Sequence, residues 1–411
     1  MSDAAILPGA SLGAKLETTL GVLGGGQLGR MFVQAAQSMG YNTVVLDPDD
    51  ASPAGLVSHD HIQTAYLDPA GLAELSERCA AITTEFENVP ASALQALSLK
   101  CPVSPSAASV AIAQDRVAEK AHFMACAEKQ MEQGGADAIT VAPYAVIETA
   151  SQVAAVPADL LPGILKTARM GYDGKGQIRV KTPDELTAAF AELGGVTCVL
   201  EKMLPLKAEY SVIVARSASG QIVHFPPQLN VHVDGVLAAS YVYEGNMPLV
   251  SVKRAIDAAK SIANELQYVG VLCVELFLLH DDSLVEKLVV NEIAPRPHNS
   301  GHYTLDACDV SQFELQVRTL CGLPLTQPRQ HSPAIMLNIL GDVWFAKGST
   351  ESQTPPWDQI LALPGAHLHL YGKTVAKKGR KMGHLTLTGA TVDAVKTVTA
   401  QAAQILGITK Y

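Results

Sequence analysis

The chain has no long apolar run, no CxxC pair and no excess of positive charge, and each absence removes a class of function. No stretch of about 18 consecutive apolar residues occurs, so nothing reads as a membrane span. The N-terminus, MSDAAILPGASLGAKLETTL, lacks the basic start and continuous apolar core of a secretory signal. The seven cysteines (79, 101, 126, 198, 273, 308 and 321) are odd in number and scattered. That pattern argues against a disulfide frame or a zinc site and for reduced thiols in a cytoplasm. Thirty basic against forty acidic residues give a net charge of −10, which leaves no global field to gather nucleic acid or an anionic membrane. Any phosphate site must be local. With 48% hydrophobic and 17% charged residues over 411 positions, the composition is that of a soluble globular protein of two or three domains.

After an N-terminal stretch that reads as a loose extension, residues 20–23 form a short apolar strand. It runs into Gly24-Gly25-Gly26-Gln27-Leu28-Gly29-Arg30 and an amphipathic helix, and 43–46 form a second strand ending at Asp47. This is the opening of a parallel α/β sheet. Gly24, Gly26 and Gly29 satisfy GxGxxG, and Asp47 stands near where a ribose-binding acid would lie. The same turn at a helix N-terminus can hold any phosphate or simply pack closely. Further on, TTEFEN places Glu85 and Glu87 at a strand end. There they either face a ligand at the carboxyl edge of the sheet or dress a helix N-terminus.

Residues 101–109, rich in Pro and Ser, read as a crossover to a helix carrying Asp115, Arg116, Glu119 and Lys120. Residues 127–143 read as an extended connection. A strand then ends at Lys166, and Gly171-Tyr172-Asp173-Gly174-Lys175-Gly176-Gln177 leads into another strand at 178–180. Such a glycine-rich tip can lay backbone N–H groups against phosphate oxygens, or it is an ordinary hairpin. It is not a Walker A loop. The strand 198–204 closes on Glu201, Lys202, Met203 and Leu204, a link able to meet a purine edge. Glu209 opens a hairpin, and His232, alone in a strand, reads as structural without further context.

The most informative stretch is 289–302, VVNEIAPRPHNSGH. An apolar strand delivers Asn291 and Glu292, then Arg296 held between Pro295 and Pro297, then His298 and Asn299. Two prolines fix the backbone around the arginine, a constraint a mere connector does not need. If strands 271–279 and 288–293 pair antiparallel about the turn at 280–283, Glu275 falls nearly opposite Glu292. Two carboxylates facing one another among apolar neighbours are expensive to bury, and a divalent cation such as Mg²⁺ resolves the repulsion. Near the C-terminus, GKTVAKKGRKMGH gathers Lys373, Lys377, Lys378, Arg380 and Lys381. This is either a solvated basic turn or a site for a small phosphorylated substrate. Nucleic acid is disfavoured for want of interleaved aromatics.

GGGQLGR, TTEFENV, GYDGKGQ, VELF, NEIAPRPHNSGH and YGK…GRKMGH occur in that order across about residues 19–406. Together they resemble the ATP-grasp family of 5-(carboxyamino)imidazole ribonucleotide synthases of purine biosynthesis. The resemblance implies a chain of α/β and α+β class with an ATP-grasp fold. Its parts would be an extension (1–18), an N-terminal parallel α/β pre-ATP-grasp domain (19–115), a linker helix with the central lid (116–205), a catalytic subdomain (206–325) and a C-terminal domain (326–411). It implies the reaction ATP + aminoimidazole ribonucleotide + bicarbonate → carboxyaminoimidazole ribonucleotide + ADP + phosphate, with Mg²⁺. ATP would be bound by Arg116, Lys166, the loop from Gly171 to Gln177, Glu201 to Leu204, Glu209, His232, Asn291 and Glu292. Mg²⁺ would be held by Glu275 and Glu292. The ribonucleotide would meet Gln27, Leu28, Glu85, Asn299, Lys373, Arg380 and Lys381. Arg296 and His298 would form the bicarbonate and carboxyphosphate site, with Tyr172 and Asp173 of the lid loop as further catalytic candidates. A homodimer is also implied, and the dinucleotide reading of the glycine turn falls away.

Residues 1–18, 127–140 and 348–356 have no counterpart in that family core, and none interrupts a motif. The related formate-dependent glycinamide ribonucleotide formyltransferases share similar motifs, but QLGR, YDGKGQ and HNSGH favour the carboxylating family. A catalytically silent nucleotide-binding protein on the same fold is opposed by the intact Glu275, Glu292, Arg296 and His298.

Overall fold

The computed structural model describes residues 5–9, 18–132, 139–171, 176–280, 287–345 and 350–411. The N-terminal unit alternates strand and helix: β1 (Thr19–Leu23), α1 (Gln27–Ser38), β2 (Asn42–Leu46), β3 (Asp60–Ile62), α2 (Pro69–Arg78) and β4 (Ala81–Thr84), then α3 (Ala91–Ser98) and α4 (Ala107–Ala113). The strands are parallel in the order β3-β2-β1-β4. β1 is buried along its whole length, so it reads as a continuous apolar run and not as an alternating one. The N-terminal extension is not wholly loose. Ile6 packs beside the α1–β1 core, donates its N–H to Cys321 O at 2.9 Å and accepts from the Tyr41 hydroxyl at 2.6 Å.

α5 (Arg116–Glu132) crosses to the next unit. It continues through 127–132, where the sequence suggests an extended connection. The residues there are good helix formers, and Lys129 gains a partner in Glu265 at 2.8 Å. The lid comprises β5 (Tyr144–Ile147), α6 (Ala150–Val153), β6 (Gly163–Thr167), β7 (Gln177–Val180), α7 (Pro183–Glu192) and β8 (Cys198–Lys202). Its sheet is antiparallel in the order β5-β8-β6-β7, over a core of its own that includes Leu165, Leu186, Phe190 and Leu200. Thr182 caps α7 by accepting from Glu185 N at 3.2 Å, with Pro183 in the first turn. Tyr172, Asp173, Gly174 and Lys175, between β6 and β7, lie outside the described residues.

The remainder is organised on one long sheet. Its elements are β9 (Leu206–Arg216), β10 (Ile222–His224), β11 (Gln228–Val233), β12 (Val236–Val242), α8 (Leu249–Glu265), β13 (Gly270–Leu279), β14 (Leu288–Ala294), α9 (Thr304–Ala307), α10 (Gln312–Leu320), β15 (Ala334–Leu340), α11 (Trp357–Leu361), β16 (Ala366–Leu370), β17 (Lys381–Thr388) and α12 (Val392–Leu406). The order is β14-β13-β9-β11-β12-β15-β17-β16, with β10 also on β9. The segments 206–325 and 326–411 therefore share a sheet, joined where β12 pairs antiparallel with β15. α5 and α8 pack on one face through Phe123, Ala259 and Ile262. Tyr303, Ala307 and Leu315 cover the other. All seven thiols are buried and unpaired. No helix among the described residues is long and apolar enough to cross a membrane.

Candidate active site

Alternation along β13 decides where its acid points. Leu272, Val274 and Leu276 join the core under α5 and α8, while Val271 and Cys273 face the opposite side. Glu275 continues that second face into a cavity of about 1220 Å³ between the lid and the long sheet. Its partner across the antiparallel pair is Glu292, the opposition expected from the sequence. The next pair is Leu276 with Val290, so Asn291 has no partner and β14 bulges there. The bulge lets Asn291 and Glu292, adjacent in sequence, both line the cavity.

α5 grips this bulged strand with three side chains. Arg116 Nη1 donates to Glu292 Oε2 at 3.0 Å, Ile293 N–H donates to Glu119 Oε1 at 2.8 Å, and Lys120 Nζ donates to Asn291 O at 2.9 Å. Burial pushes the Glu119 carboxyl up to about 8, against the pull of Lys120. Lys120 also lies 3.2 Å from Glu201 Oε1, while Lys166 Nζ donates to Glu201 Oε2 at 2.9 Å. All three groups are nearly or fully buried. Burial alone would raise the Glu201 carboxyl, but the two ammonium groups hold it down to about 2. Glu209 Oε2 stands 2.7 Å from His232 Nδ1. Burial opposes the charged imidazole, and Glu209 overrides it, so the His232 pKa is raised.

Beyond the bulge, the proline-bounded loop carries the next two groups. Arg296 Nε donates to Glu87 Oε2. Burial works against both charges, yet the pairing holds Glu87 down to about 2 and Arg296 above its ordinary value. His298 Nε2 lies 3.1 Å from Glu275 Oε1. Its Nδ1 lies 2.9 Å from Ser300 Oγ and accepts from Ser300 N–H at 3.4 Å. Ser300 Oγ in turn accepts from Ser211 Oγ at 2.7 Å. With Nδ1 accepting, the ring proton sits on Nε2 and points at Glu275. Burial raises the Glu275 carboxyl, and His298 with its neighbours brings it down to about 2.

The same loop reaches a second focus. Asn299 Oδ1 accepts from Gln27 Nε2 at 3.1 Å, and Gln27 Oε1 accepts from Lys373 Nζ at 3.1 Å. Residues separated by hundreds of positions thus meet at the tip of the glycine turn. That turn is already supplied with acids. Gly26 N and Gly29 N donate to Glu85 at 3.0 and 3.1 Å, and Gly25 N donates to Asp47 at 2.6 Å. A Cβ on Gly24 would lie 3.0 Å from Phe86 Cδ1, and one on Gly26 would lie 3.0 Å from Glu85 Cδ. The glycines make room for Glu85, and its carboxylate occupies the helix N-terminus where a dinucleotide pyrophosphate would go.

Three family models match in succession: the ribonucleotide synthetase preATP-grasp domain over 17–114, the ATP-grasp domain over 135–313, and the phosphoribosylaminoimidazole carboxylase C-terminal domain over 334–397. The N5-carboxyaminoimidazole ribonucleotide synthase of Bacillus subtilis is 40% identical over 387 residues, covering 94% of this chain and 93% of that protein. The chain belongs to the N5-carboxyaminoimidazole ribonucleotide synthases. It is thus an ATP-grasp, ATP-dependent ligase of purine biosynthesis that forms a C–N bond. Among solved synthases, that of Staphylococcus aureus complexed with ADP superposes with a TM-score of 0.83 at 33% identity, covering 98% of this chain and 100% of that one. The Aspergillus clavatus synthase in complex with ADP and 5-aminoimidazole ribonucleotide gives 0.81 at 30% identity, covering 95% and 99%.

Within this synthase most of the described residues expected from sequence fall into two groups. Arg116, Lys166, Gly171, Gln177, Glu201, Lys202, Met203, Leu204, Glu209, His232, Glu275, Asn291, Glu292, Arg296, His298, Asn299 and Lys381 line the cavity. Gln27, Glu85 and Lys373 gather at the glycine turn beside it. Leu28 is core, packed with Met31, Phe313 and Tyr371, so only its backbone is free to meet a ligand. Arg380 turns its guanidinium to Val375 O at 3.1 Å.

Glu87, Glu119 and Lys120 belong to the site's framework, and of these Glu119 and Lys120 carry no motif of their own. The TTEFEN pair pointed to Glu87, whereas helical charges such as Lys120 look like a solvated face. A separate cluster joins α9 to the C-terminal strands: Asp306 accepts from His369 Nε2 at 2.9 Å, and the His369 and His384 rings stack at 4.4 Å and 11°. Parallel rings aim their in-plane lone pairs side by side, so this cluster reads as a junction and not a metal cradle.

Proposed function

We propose that the protein phosphorylates bicarbonate with ATP and carboxylates the exocyclic amine of 5-aminoimidazole ribonucleotide, giving N5-carboxyaminoimidazole ribonucleotide, ADP and phosphate. The observation that carries this reading is the loop 295–302, which borders the cavity through Arg296 and His298 and touches the Gln27–Lys373 focus through Asn299. A nucleotide, a small anion and a ribonucleotide can therefore meet around one loop.

Bicarbonate is a poor electrophile and the aminoimidazole amine a poor nucleophile. Transfer of the γ-phosphoryl group gives carboxyphosphate, whose breakdown places CO₂ beside the amine. Lys166 and His232 lie along the cavity wall where the nucleotide's phosphates would run, and Glu201 to Leu204 would meet the purine. Arg296, fixed by Glu87, offers positive charge where negative charge gathers during transfer. His298, with its proton on Nε2, can orient bicarbonate or hand over a proton. Lys373, Lys381 and Arg380 would bind the ribose phosphate and so set the amine's distance. Tyr172 and Asp173, the further catalytic candidates of the resemblance, lie outside the described residues.

The donor set suits a hard cation. Glu275 and Glu292 oppose one another, and the buried Asn291 Oδ1 has no hydrogen-bond partner among the described residues. These oxygens would hold Mg²⁺, which supplies charge neutralisation of the triphosphate when bound. The same reading extends to a cytoplasmic homodimer, testable by sedimentation of the full chain.

The deciding experiment is ADP release with 5-aminoimidazole ribonucleotide and bicarbonate, set against glycinamide ribonucleotide and formate. Turnover with the first pair alone supports the reading. Turnover with the second pair transfers the chain to formyl chemistry.

A further inference from the structure

Gln312 is fully buried at the first position of α10 and does not line the cavity described above, yet its carboxamide is bonded at both ends to the reactive loop. His298 N–H donates to Gln312 Oε1 at 2.9 Å, and Gln312 Nε2 donates to His298 O at 2.8 Å. The same nitrogen lies 3.1 Å from His302 Nδ1. Because the acceptor oxygen is fixed by the His298 amide, the carboxamide cannot flip without losing both bonds. Gln312's own N–H donates to Thr304 Oγ1 at 3.1 Å, and Thr304 Oγ1 donates to Gly301 O at 2.6 Å. Gly301 is required by this arrangement: a Cβ there would lie 2.6 Å from Gln312 Oε1.

One turn along α10, Gln316 is also buried and reaches the opposite substrate wall. Its Nε2 donates to Thr83 Oγ1 at 3.1 Å, in the strand that delivers Glu85. Between the two amides, Phe313 packs under Leu28, Met31 and Tyr371. Val317 and Leu320 complete the core beneath β1. One helix thus sets the backbone of His298 and the strand behind Glu85 from a single rigid frame.

We infer that Gln312 is a positioning residue for the carboxylation reaction: it fixes the backbone of His298, and Gln316 does the same for the strand bearing Glu85. A plain packing role would be met by any side chain of that volume. A positioning role needs an amide, because both a donor and an acceptor are used on one residue's backbone. The inference rests on the proposed carboxylation, with His298 acting at the bicarbonate site.

Gln312→Met keeps the volume and removes both bonds. The expected result is a fall of about 30-fold or more in kcat for ribonucleotide-dependent ADP release, with ADP affinity by calorimetry within about twofold of wild type. Gln316→Met is expected to raise KM for the ribonucleotide about fivefold or more with a smaller change in kcat. Independently of turnover, the His298 amide should exchange with solvent at least about tenfold faster in Gln312→Met while the α10 amides stay protected. Wild-type kcat in Gln312→Met overturns the inference, as does unchanged exchange at His298. Parallel losses of kcat, ADP affinity and α10 protection also overturn it, since they report general unfolding. A wild-type protein inactive with aminoimidazole ribonucleotide and bicarbonate would count against the proposed reaction instead, and the exchange measurement would still decide the role of Gln312.

Discussion

Asn291 and Glu292 are neighbours in one strand and both face the cavity, because the pairing passes from Glu275–Glu292 directly to Leu276–Val290 and leaves Asn291 as a bulge. In a regular strand one of the two would point into the α5–α8 core. The bulge therefore turns Asn291 and Glu292 to the same cavity that Glu275 lines. Glu292→Gln keeps the shape and removes a charge, so kcat for ADP release should fall about 10²–10³-fold and the Mg²⁺ concentration giving half-maximal rate should rise. Activity within about threefold of wild type at every Mg²⁺ concentration would remove Glu292 from the ion.

Arg296 is tested together with the acid that holds it. Arg296→Ala should abolish bicarbonate-dependent ATP turnover while the fold survives; near-normal ADP production would sink its assignment. Glu87→Gln leaves the guanidinium in place with a weaker tether, and about tenfold loss of kcat is expected. The pH dependence has a definite sign. The Glu87 carboxyl is held down to about 2, so the pair's contribution is complete above about pH 4.3, its unfolded pKa, and is lost as pH falls toward 2. The effect of Glu87→Gln on rate should consequently be flat between pH 6 and 9, and a slope there would mean that another group is being read.

Much of this centre was legible because it is local. The facing of Glu275 and Glu292 follows from two apolar runs and one polar turn, although the turn residues Asp281, Asp282 and Ser283 themselves lie outside the described residues. The βαβ opening was equally plain from its glycines. What the sequence hid depends on packing between distant segments. Nothing near Gly26 signals that Glu85, 59 positions away, fills the turn. Nothing in the helical charge pattern of α5 distinguishes buried Lys120 from an exposed lysine. The single-residue bulge at Asn291 is invisible to an alternation count, since it shifts the register by only one place.

Lys373 offers a pH test in the assay range. Burial, with Arg380 and Lys381 nearby, brings its ammonium down to about 8, while Glu85 opposes the drop. The charged form that would hold a phosphate is present below that value and lost above it. KM for the ribonucleotide should therefore rise as pH increases through about 8, with KM for ATP little changed. Lys373→Arg, whose guanidinium stays protonated, should flatten the profile. Lys373→Ala should weaken ribonucleotide binding far more than ATP binding. A loss confined to ATP affinity would place the basic segment with the nucleotide.

Lys120 connects two walls of the cavity, since one buried ammonium serves both Asn291 O and Glu201. Lys120→Met fills the space and leaves the buried Glu201 with Lys166 alone. Removing one member of a buried ion network costs about 3–5 kcal/mol, and the surviving Lys166 contact puts the expectation near the lower end. The loss should appear as an earlier denaturant midpoint. Saturating ATP should recover part of it, because nucleotide binding stabilises the folded state in proportion to its affinity. An unchanged midpoint would show that Lys120 adds no net stability to the folded protein, and a midpoint that falls without any response to ATP would separate Lys120 from the nucleotide site.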